Sequence, residues 1–324
     1  MAFKILIAID LIIIVLSVYF MRHYLKLIKE NKLVKIRKLY SEKEYDLALN
    51  IIESEIEKDE NNYLLFNEKG NLYFSKGVYD SAVKAYEVAI NMNSEDSILY
   101  LNKARTHLKM KQYTHALNCC DKCLSLNPNY TDCLLIKATS LYKLERYEKA
   151  LNIYNDLEEE NEAFNKKSMD KALTLFKIKN YEESIKYFEI YLKANPKNII
   201  AYNYIAENYH QLKNYKKEVE TYEIIIKLQS NLDWVYYNKA SALCYLGEFE
   251  NAINDFDRAI EVNPKYDKAY YSKSRILAFC RAKDEAFKSL KMAIKLNPEY
   301  KKIAWEDEVL NNLKLFNEFI EITQ

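Results

Sequence analysis

The side chains best suited to nucleophilic, acid–base or metal chemistry in this chain are four histidines and six cysteines. The histidines (His23, His107, His115 and His210) are dispersed, and none has a nucleophile placed beside it in a recognisable pairing. Cys120-Asp-Lys-Cys123 has the spacing of half a zinc site, but a closed tetrahedral site needs a second ligand pair and none follows. The CxxC is therefore expected to be small apolar packing on a buried helix face, and the thiols to be reduced. With three glycines in the whole chain there is no phosphate-cradling loop. Neither a catalytic residue, a metal site nor a cofactor is expected, and the chain is read as a non-enzyme.

Charge narrows the partners. The net charge of the 324 residues is +1, but residues 1–38 carry about +6 and the remainder about −5. A domain that binds nucleic acid has the opposite distribution, so no nucleic-acid partner is expected. Residues 5–21 are almost all aliphatic and form a short candidate membrane span. No small residues follow it to make a signal-peptidase site, so an uncleaved anchor is expected. Asp10 inside it is either tolerated near the interface or a contact to another anchor. Arg22, Lys26, Lys29, Lys32, Lys35, Arg37 and Lys38 follow, which by the positive-inside rule puts the rest of the chain in the cytoplasm. Residues 1–28 are thus an anchor with a basic juxtamembrane segment.

The remaining elements follow one period. In Asp233–Tyr266 two short amphipathic helices meet at Leu246-Gly247-Glu248 and end at Asn263-Pro264. A constant step through Ala252 meets Ala48, Ala82, Ala116, Ala150, Ser184, Glu218 and Ala286, without insertion or deletion. Tyr45, Tyr79, Tyr113, Tyr147, Tyr181, Tyr215 and Phe249 repeat in the same register, and all four prolines fall at repeat ends. Lys recurs one position before the small residue of the first helix (Lys35, Lys69, Lys103, Lys137, Lys171, Lys239, Lys273), where its stem is expected to pack with the amine in water. An all-α solenoid of eight repeats is predicted (29–62, 63–96, 97–130, 131–164, 165–198, 199–232, 233–266, 267–300). A single amphipathic capping helix is predicted over 301–324. Ser184 and Glu218 replace the close-packing alanine, so the carboxylate must be paired or the helices forced apart. Residues 158–232 are accordingly the weakest part expected, and the acidic run at 158–162 is expected to be a solvated turn.

The aromatic at Tyr236, small residue at Ala240, then Ala252, Phe256, Ala259 and Pro264 resemble the tetratricopeptide repeat (TPR) family, whose step matches the one seen here. That resemblance implies a right-handed superhelix whose concave face, lined by the first helix of each repeat, binds peptide segments. The family's groove positions carry over to Asn71, Asn102, Arg105 and Lys109 in the first half. In the second half they carry over to Asn203, Trp234, Tyr237, Asn238, Lys268, Tyr271 and Arg275. A chaperone-type carboxylate clamp fits only in part. Starting from the second repeat, Asn71 and Asn102 match it, but Asn67, Asp132 and Ile136 stand where basic residues belong. Starting from the sixth, Asn238 and Lys268 match while Asn203, Glu207 and Ser272 do not. The aromatic cluster Trp234, Tyr237, Tyr245, Tyr271 and Phe279 is either repeat packing or, flanked by Arg275 and Lys268, a set of anchors for an extended, partly apolar and acidic segment. The implied role is a membrane-anchored scaffold that gathers protein partners at the cytoplasmic face. An accessory subunit of a membrane enzyme or export complex is the alternative, as is the same array outside the cytoplasm.

Overall fold

The computed structural model describes Tyr19, Met21, His23 and residues 31–160 and 168–324. The chain divides into two compact units, Met1–Leu157 and Glu158–Gln324. In the first, residues 31–41 are helical (α1) and are followed by α2 (Tyr45–Ile56), α3 (Tyr63–Lys76), α4 (Tyr79–Met92), α5 (Ser97–Lys109), α6 (Tyr113–Leu126), α7 (Thr131–Lys143) and α8 (Tyr147–Glu160). The second contains α9 (Ser168–Lys177), α10 (Tyr181–Ala194), α11 (Ile199–Gln211), α12 (Tyr215–Leu228), α13 (Asp233–Leu246), α14 (Phe249–Val262), α15 (Asp267–Phe279), α16 (Lys283–Leu296), α17 (Tyr300–Glu306) and α18 (Asn317–Thr323). Among the described residues there are no strands.

Packing within each pair follows from side-chain size. Ala82, Ala116, Ala150, Ala252 and Ala286 have no exposed surface, which lets paired helices approach closely. At Gly70 the approach is closer still, since an added Cβ would press on the Tyr86 ring, whose hydroxyl donates to Asn71 Oδ1 at 2.8 Å. Ser184 is accommodated by donating its hydroxyl to Ala172 O at 2.9 Å. Glu218 is buried and paired with His210 Nδ1 at 3.0 Å. Both substitutions at the alanine position are thus satisfied by hydrogen bonds.

The bends share one backbone conformation. Lys43, Gly77, Lys111, Glu145, Lys179, Lys213, Gly247 and Arg281 all have positive φ, between 56° and 82°. They are evenly spaced at the repeat period, each just after a first helix. The following N–H bonds back into the last turn of that helix, as in Val78 N–H to Tyr73 O at 2.8 Å. Glycine takes this left-handed shape without steric cost, yet six of the eight positions carry a long charged side chain. The aromatic opening each second helix packs on the end of the first, as in Phe74–Tyr79 (centroids 5.6 Å apart) and Tyr142–Tyr147 (5.4 Å).

Three expectations need correction. Lys35 is exposed, but the periodic lysines that follow do not leave their amines free in water. Lys69, Lys103 and Lys137 pair with Glu53, Glu87 and Asp121 at 3.1, 2.8 and 2.7 Å, and Lys239 reaches Glu223 at 3.3 Å. Lys273 pairs with Asp257 in the same way. Each acid lies on the preceding second helix, so the stem spans the seam and the amine bridges it. Lys171 instead donates to the Tyr187 hydroxyl at 2.8 Å. The second correction is at the C-terminus, where the single capping helix is broken into α17, a 3₁₀ turn (Glu308–Leu310) and α18. Asp307 leaves the helical region (φ −75°, ψ 114°) and caps the turn, accepting from Val309 N–H at 3.0 Å. The fold-back buries Leu310, Leu313 and Phe319 against Phe287 and Leu290, while Leu315 is 85% exposed. Third, Glu158–Glu160 close α8 rather than forming a turn, and residues 161–167 lie outside the described ones.

Candidate binding cleft

In the second unit, α13, α14 and α15 enclose a cleft of roughly 430 Å³ lined by Tyr237, Ser241, Cys244, Tyr245, Phe256, Ser272, Arg275 and Ile276. Four of these (237, 241, 244 and 245) recur on α13 at the spacing of successive helical turns, so they share a helix face, and Ser272, Arg275 and Ile276 do the same on α15. Phe256 from α14 is the floor and is fully buried. Tyr237 rests on it, ring centroids 5.7 Å apart, and on Tyr266 at 5.2 Å, with its hydroxyl 3.4 Å from Ser272 Oγ. At the rim, Tyr245 is 61% exposed and lies flat on Tyr215, with centroids 4.5 Å apart. His210 closes edge-on against both rings. Burial pushes the Cys244 thiol up to about 11, which leaves it a protonated, inert wall atom.

Arg275 is the cleft's cation. Its Nε lies 2.7 Å from Asp307 Oδ2, an ion pair that is out of line for a hydrogen bond, and Tyr271 donates its hydroxyl to the same oxygen at 2.8 Å. Tyr271 is buried, stacked on Tyr300 with centroids 4.4 Å apart, and its phenol is pushed far up by burial and by Asp307.

The structure therefore brings together two of the sequence-derived groove residues, Tyr237 and Arg275, and places the others elsewhere. Tyr271 lies behind Arg275. Trp234 packs with Ala206, Tyr222, Ile225 and Val235, and Asn238 reaches the Tyr222 phenol. Asn203 is half-buried and Lys268 is exposed. In the first unit Asn71 is tied to Tyr86 and Asn102 donates to Asn67 Oδ1 at 2.9 Å. Arg105 lies 3.7 Å from Asp132, and Lys109 is exposed. Ser241, Cys244, Phe256, Ile276 and Asp307 were not among the groove candidates, and Ser272 was considered only as a clamp position. The helix faces of Tyr237 and Arg275 could have supplied Ser241, Cys244 and Ile276, whereas Phe256 comes from the neighbouring helix and Asp307 lies beyond the periodic region.

The residues first considered for chemistry have structural surroundings. Cys120, Cys123 and Cys133 are fully buried with Leu101, Ala104 and Ile136. The Cys133 thiol, bonded to the Cys120 carbonyl at 3.6 Å, is pushed up to about 12. His107 and His115, unconnected in sequence, stack with centroids 5.3 Å apart, and His107 Nδ1 meets Gln112 Oε1 at 2.7 Å. Burial lowers the His107 pKa.

Three family models match parts of the chain. A model of anaphase-promoting complex, cyclosome, subunit 3 matches residues 75–157, and tetratricopeptide repeat models match residues 169–232 and 234–266. Two solved structures are similar in fold. One is a tetratricopeptide repeat protein from Parabacteroides merdae ATCC 43184, 19% identical with TM-score 0.53, over 72% of this chain and 93% of that one. The other is the C-terminal part of a TPR repeat-containing protein from Cytophaga hutchinsonii, 16% identical with TM-score 0.64, over 75% and 98%. No curated protein matches the chain. Tetratricopeptide repeats mediate protein–protein interactions. With helices in pairs, evenly spaced left-handed bends and these matches, residues 169–232 and 234–266 are identified as tetratricopeptide repeats, and the chain shares its helical-repeat fold with solved tetratricopeptide repeat proteins.

Proposed function

We propose that this chain is a non-catalytic scaffold that captures an extended, partly apolar segment of a partner protein in the cleft between α13 and α15. The observation that carries the reading is the cleft itself, in which an aromatic floor and an exposed tyrosine rim flank Arg275 and two serine hydroxyls. Aromatic and arginine side chains are what binding hot spots use, and hydroxyls can meet the partner's backbone. The test is partner capture on the full chain, comparing wild type with the double variant Tyr237→Leu/Arg275→Gln.

Anchoring at the cytoplasmic face of a membrane is the second part of the proposal. It rests on the apolar run at 5–21 and its basic flank. Apart from Tyr19 and Met21 that run lies outside the described residues, and among the described residues no helix is long and apolar enough to cross a membrane. Cys280 is exposed and offers the test. An impermeant maleimide should label Cys280 only after cells are opened. Labelling in intact cells would place the array outside instead. The accessory-subunit reading predicts co-migration with a membrane complex on a native gel.

A further inference from the structure

We propose that Asp307 sets the charge selectivity of the cleft: it supplies Arg275 with a carboxylate from within the chain, so the cleft takes an uncharged aromatic or aliphatic anchor and disfavours an acidic one. This rests on the peptide-binding reading above and replaces the acidic partner that an isolated Arg275 would attract.

Asp307 is well fixed. One carboxylate oxygen accepts from Val309 N–H at 3.0 Å; the other faces Arg275 Nε at 2.7 Å and accepts from Tyr271 at 2.8 Å. Its side chain is only 11% exposed, whereas Arg275 keeps 42% exposure and lines the cleft. The segment carrying Asp307 is held by buried Ala304, Leu310 and Leu313 and by Asn312 Nδ2 donating to Ala278 O at 2.7 Å. A partner therefore meets an arginine whose charge is already offset at a fixed distance. An incoming carboxylate would gain Arg275 and be repelled by Asp307, leaving little net attraction in a partly solvated site. An aromatic or aliphatic side chain meets no such opposition from the floor of Tyr237, Phe256 and Ile276, and a backbone carbonyl can still use the guanidinium's remaining N–H groups.

Two other arginines at this repeat position also face a carboxylate of the chain. Arg37, Arg105 and Arg275 are separated by whole numbers of repeats. Arg37 meets Glu68 at 2.5 Å and Arg105 lies 3.7 Å from Asp132, so each faces a carboxylate of the chain's own. Each of these arginines is thus offset by an acid of the chain's own, drawn from a different place each time, and at Asp307 the acid comes from the segment after the last repeat.

The experiment measures binding of two pools of short fluorescent peptides to the full chain. Both pools carry aromatic residues; one also carries Asp and Glu, and the other has Asn and Gln at the same positions. Wild type should prefer the uncharged pool. Asp307→Asn keeps one oxygen to cap Val309 N–H, turns its amide NH2 toward the Tyr271 hydroxyl oxygen, which can accept in place of donating, and removes the charge; it should tighten the acidic pool about fivefold while leaving the uncharged pool unchanged. That gain should shrink as salt is raised. Equal tightening of both pools would overturn the proposal, because Asp307 would then obstruct the cleft rather than set its charge. A wild-type preference for the acidic pool would overturn it even if the variant does not fold. Binding of neither pool to either protein would overturn the peptide-binding reading itself.

Discussion

Glu218 shows how one residue departs from a repeat and what that departure does. Where most repeats place alanine it buries a carboxyl, which burial pushes up to about 7 although His210 at 3.0 Å draws it down. Between the ordinary carboxylate value and about pH 7 the folded chain therefore holds a proton that the unfolded chain releases. Stability from this group is present in acid and is lost as pH rises through that window. Glu218→Ala should flatten the slope, and at pH 8 it should raise stability on the order of 1 kcal/mol once solvent screening is allowed for. Urea midpoints at pH 5 and pH 8 check this, and the same pH dependence in both proteins would contradict it. The sequence exposed the anomaly but not its resolution. His210 and Glu218 lie on different helices, and only the bend brings them together.

At the scale of the helix and its bend, the period of small and aromatic residues was enough to mark where helices begin and end, because each pair must bury one face against the next. The backbone shape at the bends was half hidden. Gly77 and Gly247 announce a left-handed residue, whereas Lys213, with φ 56°, does not. Its left-handed conformation is imposed by helix packing on both sides and carries a steric cost that glycine lacks. Lys213→Gly should stabilise the chain by about 0.5–1 kcal/mol, seen as a higher urea midpoint at unchanged slope. No gain would show that the lysine stem contributes packing of equal size. The seam lysines were legible as a period but not as ion pairs, since the acid that each one meets lies on another helix. The broken C-terminal cap was not legible at all. Its apolar residues suit one continuous amphipathic helix, and only the demand that Leu310, Leu313 and Phe319 reach the same core explains the break at Asp307.

For the molecule as a whole, the family was readable because a long period repeated without gaps has few other physical explanations. The binding site was readable only in outline. Groove positions carried over by register identify a helix face, but the contacts made by each side chain depend on its neighbours. Trp234 became interior packing and Tyr271 a support for Asp307, while Tyr237 and Arg275 met in one cleft. That cleft is where we propose that a regular scaffold acquires a specific function. Partner capture by the full chain and by Tyr237→Leu/Arg275→Gln tests this most directly, with thermal melts to show that both remain folded. The account predicts that the double variant loses at least about tenfold in affinity for the captured segment, the equivalent of one anchor residue. Undiminished capture by a folded double variant would contradict it.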